Sequence, residues 1–305
     1  MKRTQKIWAS FFLAAFNSLM VLGQQHDQIT TEVSYTLQGD SDVDLINYRI
    51  NAKVYEKGLN AYKGFFSARL IAEHTSLNYN ASVPQSHDLD QFYSFGVELS
   101  YLRLLNKTWS TIVILRPQLS SNFASDLRFD DFNPNATILF NYSKKPTYRL
   151  SFGASYLANS PLGFPLLPYI NYWKKLSATS EMNLGLYESS YSYKVSEATT
   201  LTAFFGFEGF NYNISEHFTV GDKTAESINY VEVKTGLRLQ QRLTKLIRFN
   251  LDAGYALSRN LDFMDDSQNE VTEFDMKNNV SLSAGIFLNF SNKKKQQPQE
   301  QKENQ

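Results

Sequence analysis

Cysteine is absent from this 305-residue chain. That excludes a disulfide-stapled scaffold, a zinc ribbon, a thiol nucleophile and a lipid anchor on cysteine. An excess of charge of one sign is missing too: 30 basic and 30 acidic residues give a formal net charge of zero. The electrostatic footprint of a dedicated nucleic-acid binder is therefore lacking, and no nucleic-acid partner is expected. Histidine occurs only as His26, His74, His87 and His217. No P-loop, dinucleotide fingerprint or metal-spaced histidine pair is present, so neither a cofactor nor a metal is expected. Beyond residue 23 no window approaches 18 consecutive apolar residues. If the mature chain enters a membrane, it cannot do so as helices.

What the chain does hold is aromatic: 23 Phe and 18 Tyr within a hydrophobic fraction of 42%, at a mean hydropathy of only −0.37. It is too apolar for a disordered chain and too polar for a bundle of membrane helices. Its start is ordered as an export signal. Lys2, Arg3 and Lys6 precede an apolar stretch from Ile7 to Leu22 and the small residue Gly23. This predicts a signal peptide over 1–23, the alternative being a membrane anchor, for which the stretch is short.

From about residue 29 the dominant period is two, the mark of strands with chemically different faces. Ile247, Phe249, Leu251, Ala253, Tyr255 and Leu257 alternate with Arg248, Asn250, Asp252, Gly254, Ala256 and Ser258. Residues 279–290 and 229–240 repeat the pattern, as do 46–54, 93–101 and 148–156. Weaker cases are 29–37, 61–75, 109–120, 132–142 and 199–213, and Thr111 to Leu115 breaks the alternation. Pro165 and Pro168 suggest an irregular or edge-like strand over 165–175. Short links near Glu56–Asn60, Leu105–Thr108, Ser143–Pro146, Ser177–Ser180 and Leu243–Lys245 alternate with longer polar loops at 76–90, 121–131, 214–226 and 260–275. Short turns on one side and long loops on the other are the plan of a transmembrane barrel.

The fold expected is therefore all-β, a transmembrane antiparallel β-barrel of about 12 strands (12–14) over residues 24–291, with a disordered polar tail over 292–305. The segments number thirteen if 180–195 is one strand, and an even number if it is two joined near Ser189 and Ser190. Soluble sandwiches alternate as well. Segment length near that needed to cross the hydrocarbon, aromatics at segment ends and the scarcity of charge on the apolar faces favour the barrel. Apolar and aromatic residues are then expected outside and polar residues in the lumen. The candidate lumen charges are Glu98, Arg116, Arg149, Glu232, Lys234, Arg238, Arg248 and Asp252, together with Glu32, Glu73, Glu208, Arg49, Lys53 and Arg69. With both signs interspersed they describe either an ion-paired filling or a pore lining that steers a solute.

The blocks FGVELSYLRLLNKTWS (Phe95 to Ser110), LRPQLSSN (Leu115 to Asn122) and LSFGASYLANSPLGFPLLPYINY (Leu150 to Tyr172) resemble an uncharacterised family of Gram-negative outer-membrane β-barrel proteins. The resemblance implies an outer-membrane barrel with no assigned activity, and the family supplies no functional residues to carry over.

Other constellations are weaker. Asp40, Asp42 and Asp44 begin like a calcium loop, but Leu45 stands where that loop needs glycine and Asn51 where it needs glutamate. Asp126, Asp130, Asp131 and Asp262, Asp265, Asp266 read as acidic loops that could share divalent ions with lipopolysaccharide. His74 follows Glu73 and His87 precedes Asp88 outside any hydrolase motif, so an enzyme is not expected. The function expected is a passive channel or transport pore for a small solute of unknown identity. The alternative is a closed structural or surface-interaction barrel that binds a partner through its loops, with a rim hydrolase third. The expected location is the bacterial outer membrane, with its lipid, lipopolysaccharide and the barrel-assembly machinery as partners.

Overall fold

A computed structural model describes residues 28–37, 41–59, 64–80 and 88–290. The expected signal peptide and tail, with His26, Asp40 and His87, lie outside these residues. Fifteen strands form one sheet: β1 (Gln28–Thr36), β2 (Val43–Leu59), β3 (Gly64–Tyr79), β4 (Gln91–Leu104), β5 (Trp109–Ser121), β6 (Phe132–Tyr142), β7 (Tyr148–Tyr156), β8 (Leu166–Lys175), β9 (Ser180–Gly185), β10 (Glu188–Lys194), β11 (Thr199–Val220), β12 (Lys223–Arg242), β13 (Ile247–Met264), β14 (Glu270–Phe274) and β15 (Val280–Asn289). Antiparallel neighbours run from β12 through β1 to β15 and β13, and a β12–β13 ladder closes the ring. Fourteen strands make the wall, and β14 is an extra strand on the upper end of β13. The even count puts both ends of the barrel on one side, with the short links.

The count is reached because residues 180–195 break into β9 and β10 at Leu186 and Tyr187, three residues earlier than the sequence suggested. This short hairpin leaves a notch. β8 pairs with β9 only from Asn171 to Lys175, so Pro168 lies in a stretch with no strand ladder on that side, where a missing N–H costs no ladder bond. The rings of Tyr169, Tyr187 and Phe207 fill the gap, with centroids 5.7 and 5.2 Å apart. Elsewhere the wall is tight. A Cβ on Gly153 would lie 1.9 Å from the Ile138 carbonyl oxygen, so only glycine fits there.

Outward residues are apolar along the wall: Leu251 and Leu282 are exposed, as are Val97, Ile138, Ile170 and Leu237. Rings gather towards the ends of this surface. Tyr48, His74 and Tyr93 stack on the loop side, at 5.6 and 4.8 Å, and Trp109, Tyr142 and Phe152 group on the turn side. Ile112 and Ile114, which spoil the alternation of β5, turn inward with their register partners Leu139 and Thr137 of β6.

The expectation that the aromatics lie outside fails in the upper barrel. Residues 214–226 are not a loop but the tip of a long hairpin in which β11 and β12 continue to a two-residue turn at Gly221 and Asp222; Gly221 takes φ +65°, where glycine carries no Cβ penalty. Phe92, Tyr212, Ile214, Phe218, Ile228, Tyr230, Leu261, Phe263 and Phe274 form a buried core there. A bulge explains part of this. Val233 pairs with Ser258 but Lys234 with Ala256, so Leu257 is an extra residue on β13. Inward positions pass from even (Asp252, Ala256) to odd (Arg259, Leu261, Phe263), because side-chain parity flips at a one-residue insertion.

Candidate functional site

The lower lumen is built from strands whose registers bring opposite charges together. Arg49 of β2 faces Glu73 of β3, and their side chains meet at 2.8 Å (Nε to Oε1). On the next strands Glu98 receives Arg69 Nη1 at 3.2 Å and Arg116 Nη2 at 2.5 Å. Lys53 binds Glu56 at 2.6 Å. On the far wall Arg238 reaches Asp252 at 2.9 Å and Glu188 at 3.4 Å, while Lys234 is paired with Glu208. Two candidate bases sit over rings instead of carboxylates: Arg149 over Trp173 at 6.0 Å and Arg248 over Phe287 at 4.3 Å.

These groups line two openings in the lumen. One, of about 370 Å³, is bordered by Arg49, Lys53, Arg69, Arg116, Glu73 and Glu98. The other, of about 250 Å³, is bordered by Glu32, Arg238 and Asp252 with Gln240 and Asn250. The wall is thus polar and ion-paired without being filled.

Glu232 differs from the other candidates. It is 2% exposed and lies under the aromatic core, where it accepts from Tyr230 and, at 3.4 Å, from Thr36 Oγ1. Its cationic partner is Arg259, at 3.7 Å. Arg259 is absent from the sequence-based candidates because the bulge moves it to the inner face. An Arg directly after the last residue of a regular alternation, opposite a lumen Glu, is the signal that could have found it.

Above this pair the β11 edge of the β11–β12 hairpin leaves the wall, while β12 stays paired with β13 as far as Ser227 and Met264. The β10–β11 ladder ends at Glu188 and Gly206, so the upper edge of β11 is free to fold across the mouth. It meets the opposite wall, where Asn213 pairs in parallel with Ser121 of β5. Phe92 of β4 stacks on Tyr212 at 5.4 Å, and Thr75 of β3 bonds the Tyr212 hydroxyl at 3.0 Å. The upper surface of the hairpin is held by loops. Asn213 Nδ2 donates to Asp131 at 2.7 Å, the Ser215 amide to Asn122 Oδ1 at 2.9 Å, and Asn229 Nδ2 to the Pro161 carbonyl at 2.9 Å. A strand pair buried over 211–215 and 227–230 thus crosses the loop-side mouth.

The acidic loops serve structure. Asp131 is fully buried on the hairpin. Asp265 accepts from the backbone and side-chain amides of Asn269 and from the Ser267 amide, which hold its carboxyl below the usual range. Asp42 accepts from the Asp275 amide at 2.9 Å. Among the described residues no group of three His, Asp or Glu side chains is arranged to hold a metal ion. His74, on the outer face, is bonded to Gln91 at 2.6 Å, and His217 lies 3.8 Å from Glu226.

A family model matches residues 28–291, the whole barrel, and its description is "Domain of unknown function (DUF6268)". The chain belongs to this family. No curated protein shows significant sequence similarity to it. Among solved structures, this DUF6268 member is similar to a Pseudomonas aeruginosa FadL homologue (9% identity, 87% of this chain and 90% of that one, TM-score 0.43). It is similar also to the translocator domain of the autotransporter NalP from Neisseria meningitidis (11%, 93% and 95%, 0.39) and to the KdgM porin (8%, 85% and 98%, 0.36). At these values no role or residue is transferred to DUF6268.

Proposed function

We propose that this DUF6268 chain is a bacterial outer-membrane barrel whose lumen is a solute pathway, entered from the turn side and gated on the loop side by the β11–β12 hairpin. The outward apolar surface and its aromatic ends support placement in lipid, where a closed sheet satisfies every backbone group. Membrane lipid, lipopolysaccharide and the barrel-assembly machinery are its partners in this reading. The observation that carries the gate is the lid itself: it is joined to the far wall by one parallel pairing, Asn213 to Ser121, and by side-chain bonds, not by a continuous ladder.

Because the chain has no cysteine, a lock is simple to install. Paired strands lie about 4.8 Å apart, within disulfide reach. The double variant Ser121→Cys and Asn213→Cys, folded as judged by heat-modifiable gel mobility, is expected to conduct in planar bilayers when reduced and to fall silent when oxidised. A barrel silent in both states, like the wild type beside it, overturns the pathway. It supports instead a permanently closed structural barrel, the reading favoured by the buried Phe92–Tyr212–Phe263 core.

A further inference from the structure

We propose that the chamber on the β2–β5 wall binds a small organic anion carrying two or more carboxylate or phosphate groups. This deepens the solute-pathway reading and rests on it for access from the turn side. Four cationic side chains, Arg49, Lys53, Arg69 and Arg116, face two carboxylates, Glu73 and Glu98. The lining keeps a positive excess even when Glu56 is counted against Lys53.

The excess is localised. Arg69 and Arg116 share the single carboxylate of Glu98, one on each oxygen. The Glu98 side chain is 9% exposed and is consumed by this task, whereas the two arginines stay 45% and 44% exposed to the lumen. Each guanidinium has five N–H donors in a planar fork and spends only part of that fork on Glu98. One fixed carboxylate therefore holds two forks side by side with one positive charge uncompensated, which is the requirement for charge-assisted binding of an oxyanion.

Arg49 and Lys53 line the same space from β2; each already holds a carboxylate, Glu73 and Glu56, and it is their remaining N–H donors that offer hydrogen bonds to a second anionic group. The volume, about 370 Å³, falls in the range of small-molecule sites, roughly 300–1,000 Å³. The opposite opening has no such excess, since Glu32 and Asp252 outnumber Arg238 there. The anion is thus assigned to one wall.

The test is calorimetric titration of the full chain in detergent micelles with citrate, inorganic phosphate and glucose. Citrate is expected to bind most tightly, phosphate more weakly and glucose not at all, and added salt is expected to weaken both anions. The double variant Arg69→Gln and Arg116→Gln, with heat-modifiable mobility retained, is expected to lose at least tenfold in citrate affinity. Should that variant misfold, Arg116→Lys, which keeps the charge but loses the fork, is expected to weaken citrate more than phosphate. Citrate binding unchanged by both variants, or glucose binding as tightly as citrate, overturns the site. Titration needs no ion flow, so a silent barrel that still binds citrate refutes the pathway alone, and a conducting barrel that ignores citrate refutes the anion site alone.

Discussion

The two halves of this barrel obey opposite rules. In the turn-side half, inward residues are mostly polar, outward residues are apolar, and most of the charges sit in pairs that still reach water: the side chains of Arg238 and Asp252 keep 27% and 14% of their exposure. In the loop-side half the inward residues are aromatic, and the ion pair Arg259–Glu232 keeps 1% and 2%. The same pairing of charge is therefore a modest contribution below and a strict requirement above. An exposed pair contributes little against solvation, while a buried charge stripped of its partner is stranded.

That contrast can be broken most forcefully at the buried pair. Arg259→Ala is expected to cost about 3–5 kcal/mol, because Glu232 is left buried without its cationic partner. Arg238→Ala, by the same substitution in the lower half, is expected to cost about 1 kcal/mol or less. Urea titration of the heat-modifiable band compares them directly, and equal midpoints for the two variants would abolish the distinction. A middling effect is expected at the lid. Asn213→Ala removes the donor to buried Asp131, at a cost of about 1–3 kcal/mol, and single-channel recording should show longer open times than wild type.

The smallest effect concerns pH. Asp262 lies beyond Tyr255 and Leu257, the last exposed large apolar residues of β13, and is packed beside Asn260 and the β14 acids. Burial, reinforced by Glu270 and Glu273, pushes its carboxyl up to about 7. The folded form then holds this proton more tightly than the unfolded form, so the stability it contributes is full at low pH and is lost as pH rises through about 7. The loop-side half should accordingly be firmer at pH 5 than at pH 8, and Asp262→Asn should flatten that difference. A urea midpoint that moves identically with pH in both proteins would remove Asp262 as the cause.

Parity is informative where strands are regular. The alternation groups Arg49, Arg69, Glu73, Glu98, Arg116, Lys234, Arg238 and Asp252 on polar faces, and in the structure these side chains make ion pairs across neighbouring strands. Parity fails where the period is interrupted. One extra residue at Leu257 carries Arg259 and Phe263 inside, and no propensity marks that residue as a bulge. The stretch 214–226 looked like a polar loop because both its faces are buried, one on rings and one on loop amides, and such a hairpin has no single apolar stripe to display.

What this sequence determines by itself is the wall: alternation makes strands, short links make antiparallel neighbours, and a face rich in Leu, Val and aromatics points away from the lumen. What only the tertiary structure decides is whether the ring is open. The short β9–β10 hairpin releases the edge of β11, and the far wall offers Ser121, Thr75 and Phe92 to receive it. Those partners lie from about ninety to more than 130 residues from their contacts on β11, a separation at which local pattern carries no information and only closure of the sheet brings the groups together.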